Sequence, residues 1–150
     1  FLKKNNYDEK IYDYLQQQNS FIYGICLGMQ LFFEKGNEFK KANGLKLING
    51  EVVRFKDTKQ PINIGWSKFR INKKIDKSIF GNLDQKYFYY VHSFYSLPKN
   101  SLDIFSKSTH NKIQYCSAVR KGKIFGTQFH PEKSGIAGVK FLKNLKKIKG

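Results

Sequence analysis

Cysteine is scarce here, with two in 150 residues, Cys26 and Cys116. Their separation fits no metal-ligand spacing, and with Cys26 in a tight turn a structural disulfide is disfavoured. No apolar run approaches the roughly 20 residues that cross a bilayer, and the N-terminus lacks a secretory signal pattern. Neither repeats nor a low-complexity linker divide the chain. These absences point to a soluble protein of a reducing compartment, expected in the cytoplasm without metal, cofactor or membrane. Acidic residues are also few, 11 Asp and Glu against 28 Lys and Arg, giving a formal net charge of +17. Such an excess suits an acidic partner or nucleic acid. The lysines are scattered, however (Lys3, Lys4, Lys35, Lys40, Lys41, Lys73, Lys74, Lys146 and Lys147 among them), and no nucleic-acid motif accompanies them. The Lys, Asn, Ile, Phe and Tyr bias reads as codon preference, so no specific nucleic acid is expected.

What the chain does have is core material. Hydrophobic residues make up 40% and aromatics 16%, led by 14 Phe and 9 Tyr, enough for one domain over residues 1–150. Asn6, with Glu9 three residues on, predicts a capped helix start, and Ile11, Tyr14 and Leu15 continue it at helix spacing. Strands are predicted at Phe21–Ile25, Glu51–Phe55, Ile62–Phe69, Tyr87–Val91, Leu102–Ser106, Ile113–Val119 and Ile124–Phe129, the last two joined by a turn at Lys121-Gly122. Asn37–Gly50 reads as loop around a short apolar stretch, Leu45–Ile48. Gly135–Lys149 predicts an amphipathic helix with Ile136, Val139, Leu142, Leu145 and Ile148 inward. The pattern is a mixed α/β domain with its chemistry at strand ends.

That chemistry begins at Tyr23-Gly24-Ile25-Cys26-Leu27-Gly28-Met29-Gln30. A β-prone run leads in and a helix-period run, Leu27 to Phe33, leads out. A cysteine between two glycines at such a turn is the thiol form of a nucleophile elbow. Glycine permits the sharp turn, and the helix start favours thiolate over thiol. Near the other end stands His130-Pro131-Glu132. Proline and its predecessor prefer extended backbone, so His130 and Glu132 point to one side. Glu132 can then hold one imidazole nitrogen while the other faces the thiol. Alone, each piece has a plainer reading, a buried cysteine and a surface turn; together they make nucleophile, base and orienter.

These residues resemble a known family. Gly24-Ile25-Cys26-Leu27-Gly28-Met29-Gln30 with His130-Pro131-Glu132 is similar to the triad-type (class I) glutamine amidotransferases. Gly65-Trp66, Tyr89-Tyr90-Val91-His92-Ser93 and Gln128–Gly135 resemble one subgroup, the glutaminase subunit of imidazole glycerol phosphate synthase of histidine biosynthesis. The resemblance implies that Cys26 attacks the side-chain amide of L-glutamine, with His130 as base then acid and Glu132 orienting it. It assigns the Leu27 N–H to the oxyanion, and Gln30, Ser93 and Phe94 to substrate binding. It assigns Trp66, Tyr89 and Lys133 to the interface with a (β/α)8 synthase subunit that receives the ammonia, in a heterodimer. The implied fold is an open mixed sheet flanked by helices.

Three departures stand out. The family carries N-terminal strands with an oxyanion loop before the elbow, and the chain starts at Phe1 without them, so a partial sequence of a longer chain is expected. Phe94 stands where the subgroup has Tyr, and Ser67 where Asn is common. A paralogous subunit supplying ammonia to another synthase, as in surface-sugar amidation, and a catalytically impaired scaffold are therefore the alternatives within the family. Outside it stand a nucleic-acid-binding protein and a stand-alone thiol peptidase. Elsewhere, His92 reads as a positioning or interface histidine, His110 as a turn residue and Cys116 as a small buried hydrophobe. Trp66, without the resemblance, reads as core.

Overall fold

The computed structural model describes residues 6–36, 42–56, 59–72 and 80–148; Lys3, Lys4, Lys40, Lys41, Lys73, Lys74 and Lys149 lie outside them. Helix α1 (Tyr7–Gln16) is the first element among the described residues, with Asn6 at its start. Asn6 takes a left-handed backbone and makes no side-chain cap bond, so the expected capping box is absent. The other end is capped from a distance, by the Lys123 ammonium donating to the Leu15 and Gln17 carbonyls. Cations suit a helix C-terminus for this reason.

Strand β1 (Ile22–Ile25) runs into a single helical turn, α2 (Leu27–Gln30). The helix expected to reach Phe33 stops short, because Phe33 is drawn into strand β2 (Phe33–Gly36) and buried. The segment read as loop yields β3 (Ala42–Asn43), and β4 (Ile48–Arg54) starts earlier than expected, with Leu45, Leu47 and Ile48 all buried. A two-strand ribbon follows from β5 (Asn63–Lys68) and β7 (Tyr87–His92), with β6 (Arg70–Ile71) between them in sequence. The chain then forms β8 (Phe94–Pro98), a strand the sequence reading missed, β9 (Ile104–His110), β10 (Ile113–Lys121), β11 (Ile124–Thr127) and α3 (Gly135–Leu145). His110 ends β9 rather than occupying the turn.

The main sheet runs β1-β11-β10-β8-β4-β2-β3, with β9 paired to β10 and β6 to β9. Pairings β1–β11 and β2–β4 are parallel and the rest antiparallel, so the sheet is mixed. The predicted β10–β11 hairpin is present, with Gly122 at φ 54 in its turn. What places the site is the β1–β11 pair: Ile25 stands opposite Thr127, so both strands end together, with Cys26 directly after one and His130 three residues beyond the other.

Two apolar clusters hold this frame. Phe69, Phe80, Phe88, Phe105, Phe125, Phe129 and Phe141 are buried as one group, with the Phe88 and Phe129 centroids 4.3 Å apart. Each such ring stabilises by roughly 1.5–3 kcal/mol relative to exposure. Met29, Phe32, Phe33, Ile48, Val52 and Val119 form the second group under the elbow.

Helix α3 keeps part of its expected face, with Leu145 packed on the first apolar cluster and Ile148, just past its end, buried in it, and departs from the rest. Gly138, Phe141 and Asn144 are its buried positions, while Ile136 is 77% exposed and Val139 faces outward. The cause is Gly138, which lets the helix rest against Pro131: a Cβ there would lie 1.8 Å from the Pro131 carbonyl oxygen. No helix among the described residues is long and apolar enough to cross a membrane.

Candidate active site

Cys26 sits at φ 51 and ψ −106, a conformation that costs a non-glycine residue about 1–3 kcal/mol. The surroundings impose it. The Cys26 N–H donates to the Thr127 carbonyl at 2.7 Å, and the Cys26 carbonyl accepts from the Gln30 N–H at 3.1 Å. Gly24 makes the turn possible, since a Cβ there would lie 2.5 Å from the Gly28 carbonyl carbon. Gly28 is different: a Cβ built on it meets nothing within 4 Å, so one of the two flanking glycines, not both, is sterically required. Neither cysteine is in a disulfide. Cys116 is buried, and burial pushes its thiol up to about 12, which leaves it unreactive at neutral pH.

His130-Pro131-Glu132 folds as a tight 3-10 turn over Pro131–Lys133, not the extended run expected. The two side chains still meet, with His130 Nδ1 2.7 Å from Glu132 Oε1. A carboxylate accepts, so Nδ1 carries the proton, and in the neutral ring Nε2 is then the acceptor. That Nε2 is buried and makes no hydrogen bond among the described residues. Strand β7 anchors both candidate residues: the His130 N–H donates to the Tyr89 carbonyl at 2.9 Å, and Cys26 Sγ lies 3.9 Å from the Val91 carbonyl oxygen. Ser134 staples the turn down. Its Oγ accepts from the Tyr89 N–H at 3.0 Å and donates to the His130 carbonyl at 2.6 Å. Burial raises the Tyr23 phenol well above its usual range, opposed by its bond to Thr127, and the nearby Glu132 charge adds to the rise.

Sequence reasoning gave Gln128 no role, and the structure puts it at the thiol. Its side chain is fully buried, its Nε2 donates toward Cys26 Sγ at 3.5 Å, and its Oε1 accepts from Gln30 Nε2 at 3.1 Å. Gln30 Nε2 also donates to the Phe94 carbonyl at 3.1 Å. Both Gln30 N–H bonds are thus committed, which leaves its Oε1 to accept from a ligand ammonium. The Phe94 ring packs against the Met29–Phe33 cluster, so a phenol hydroxyl is not needed to hold it. Ser93 lies between β7 and β8, its carbonyl accepting from the Phe55 N–H at 3.0 Å. The available signal was a lone amide in the apolar run Ile124–Phe129. Gln128→Leu is expected to lower kcat/KM by about 10–100-fold, because it removes the buried amide's bonds to Gln30 and to Cys26. Steady-state kinetics on the full-length gene product checks this, and a change under about twofold would contradict it.

Residues 4–147 match the family described as glutamine amidotransferase class-I. The chain belongs to this amidotransferase family. Within the family it groups with proteins named imidazole glycerol phosphate synthase subunit HisH. It is 39% identical to the one from Chlorobaculum tepidum, over 96% of this chain and 71% of that protein. It is 38% identical to the one from Methanocaldococcus jannaschii, over 91% of this chain and 68% of that protein. Against the Bacillus cytotoxicus relative the chain spans 58% of the length. The fold is also that of a crystal structure titled glutamine amidotransferase, with a TM-score of 0.67 at 11% identity, covering 97% of this chain and 69% of that one.

The residues that the amidotransferase resemblance assigned to an interface lie around the His130 turn. Trp66 is 54% exposed, which removes the core reading, and stands opposite Tyr89 in the β5–β7 ribbon with ring centroids 6.0 Å apart. Tyr89 bonds the turn on both its N–H and its carbonyl, and Lys133 is exposed within it. Leu27 is exposed beside the thiol. Among the described residues no group of three or more His, Cys, Asp or Glu side chains is placed to hold a metal ion.

Proposed function

We propose that this chain, as one glutamine amidotransferase domain of a cytoplasmic heterodimer, hydrolyses L-glutamine to glutamate and ammonia. It passes the ammonia to a (β/α)8 synthase subunit that makes imidazole glycerol phosphate in histidine biosynthesis. The observation that carries the reading is the His130 ring, with Nδ1 tied to Glu132 at 2.7 Å and Nε2 buried without a hydrogen-bond partner among the described residues. A buried ring nitrogen without a partner costs roughly 1–3 kcal/mol, and such groups mark reacting positions.

Cys26 gives its proton to His130 Nε2, and its sulfur attacks the carboxamide carbon of glutamine. The oxygen takes the electron pair and accepts from the Leu27 N–H. His130 then protonates the departing amine, so ammonia leaves and a γ-glutamyl thioester remains on Cys26. Water attacks the thioester with His130 again as base. The thiolate departs, and glutamate is released. Glu132 stabilises the imidazolium in each half-reaction. Gln30 Oε1 receives the substrate ammonium, with Ser93 and Phe94 beside it. Ammonia is useful to a synthase only unprotonated, so its exit must be shielded from water, and Trp66, Tyr89 and Lys133 are the surface that does this with the partner.

The test is glutamine hydrolysis by the full-length gene product, with and without a barrel synthase and its ribonucleotide ligand. Stimulation by the liganded partner supports the reading; activity indifferent to that partner moves the acceptor elsewhere. In the same assay Lys133→Ala is expected to cut the stimulation several-fold while leaving basal turnover within about twofold, as loss of a polar interface contact does. Equal loss of both would make Lys133 a structural residue.

A further inference from the structure

Behind the Phe94 carbonyl lies a buried hydrogen-bonded set that the proposed reaction does not use. His92, 6% exposed, ends β7 with Nδ1 2.7 Å from the Phe94 carbonyl oxygen and Nε2 2.9 Å from Asn63 Nδ2. A carbonyl only accepts, so Nδ1 carries the proton and Nε2 accepts from Asn63, which fixes the tautomer from both sides. Asn63 Nδ2 also donates to the Tyr115 hydroxyl at 2.9 Å. Rings of Phe55, Tyr90 and Tyr115 stand 5.4, 5.8 and 5.1 Å from the imidazole, leaving it no other orientation. Burial holds its pKa down to about 4, against the pull of the Phe94 bond and with the His110 and His130 charges adding, so the ring is neutral at working pH.

The Phe94 carbonyl is therefore shared. His92 holds it from one side and Gln30 from the other. Gln30 in turn bonds Gln128, and Gln128 bonds Cys26 Sγ. An unbroken series of hydrogen bonds runs from Asn63, on the strand that exposes Ile64 and Trp66, to the nucleophile.

We propose that His92, backed by Asn63, is a positioning residue for glutamine: it fixes the Phe94 carbonyl and, through it, the orientation of Gln30. The proposal rests on the glutaminase reading. A core histidine that only satisfied itself would be served by any carbonyl. This one bonds the carbonyl that also anchors the substrate-binding amide, and without it that carbonyl keeps one donor and can turn.

His92→Phe and His92→Asn separate the two roles. Phenylalanine fills the space and keeps the ring contacts but removes both hydrogen bonds. In His92→Asn the amide nitrogen takes the place of Nδ1 and keeps the bond to Phe94. In the full-length protein with its synthase partner, His92→Phe is expected to raise KM for glutamine about tenfold, with kcat falling less. Alkylation of Cys26 by a glutamine-shaped diazoketone should slow by a similar factor, while alkylation by iodoacetamide, which uses no substrate cradle, stays within about twofold. His92→Asn should recover most of the loss. An unchanged KM in His92→Phe overturns the proposal. So does a common loss of both alkylation rates in His92→Phe and His92→Asn, since general loosening would then explain it. A parent protein that turns over glutamine normally beside unaffected variants removes this inference alone, whereas a parent with no turnover removes the glutaminase reading and this inference with it.

Discussion

Replacing Cys26 by Ser is expected to lower glutamine hydrolysis by roughly 10⁴–10⁶-fold, the scale seen when a nucleophile that works as part of a unit is lost. The synthase partner should still make product from added ammonium salts at its ordinary rate. Both halves of that expectation come from the geometry. The elbow is imposed by backbone bonds from Thr127 and Gln30 and by the close approach of Gly24 to Gly28, none of which involves sulfur. Serine therefore keeps the turn, and what it loses is chemical: a hydroxyl gives up its proton far less readily than a thiol. The bond from Gln128 Nε2, long at 3.5 Å to sulfur, matches a large polarisable acceptor better than a hydroxyl oxygen. Equal loss of glutamine-dependent and ammonia-dependent synthesis would show that Cys26 serves the complex structurally and would overturn the division of labour.

Gly138→Ala, which touches no reacting atom, is expected to have a large effect on both stability and turnover. The added carbon would lie 1.8 Å from the Pro131 carbonyl oxygen, 2.8 Å from the Pro131 carbonyl carbon and 3.0 Å from Ser134 Cβ. Backbone, not a flexible side-chain end, must give way, so α3 and the His130 turn have to part. Overpacking of this kind costs about 1–3 kcal/mol, sometimes more. For a chain of this size that lowers Tm by several degrees, on the order of 5–10 °C. The turn also carries His130 and Glu132, and Ser134, next in the chain, ties it to β7. A displacement of about 1 Å there should cost near 10²-fold in kcat/KM. Thermal melting and steady-state kinetics on one preparation test both expectations. Unchanged values for both would mean that the helix slides on the turn without strain.

The parts of this site that were legible in the sequence are those set by neighbours along the chain. Cys26 could be found because its turn is built from adjacent residues, and Glu132 because it stands two positions from the ring it holds. Gln128 and Ser134 lay in full view within a recognisable run. Their roles depend on Gln30, Cys26 and Tyr89, which approach only when β1, β7 and β11 come together, and no local pattern encodes that. Strand β8 was missed for a related reason: the polar pair His92-Ser93 reads as an end, yet β8 resumes at Phe94 because Arg54 and Val53 of β4 supply its partners. Helix α3 shows a further limit. Its sequence carries two apolar stripes, one through Ile136, Val139 and Leu142 and one through Phe141, Leu145 and Ile148. Periodicity allows either to face inward. The choice is made by Gly138 against Pro131, a contact that a hydrophobic pattern does not register.

The most direct test of the account is to catch the acyl intermediate. The full-length gene product, with its liganded synthase partner, would be mixed with glutamine and quenched in acid within a turnover, and its peptides mapped by mass. One glutamyl group is expected on the peptide carrying Cys26, with its disappearance in Cys26→Ala together with ammonia release. Glutamine hydrolysis that continues undiminished in Cys26→Ala, or a glutamyl group borne by a different residue, would contradict it.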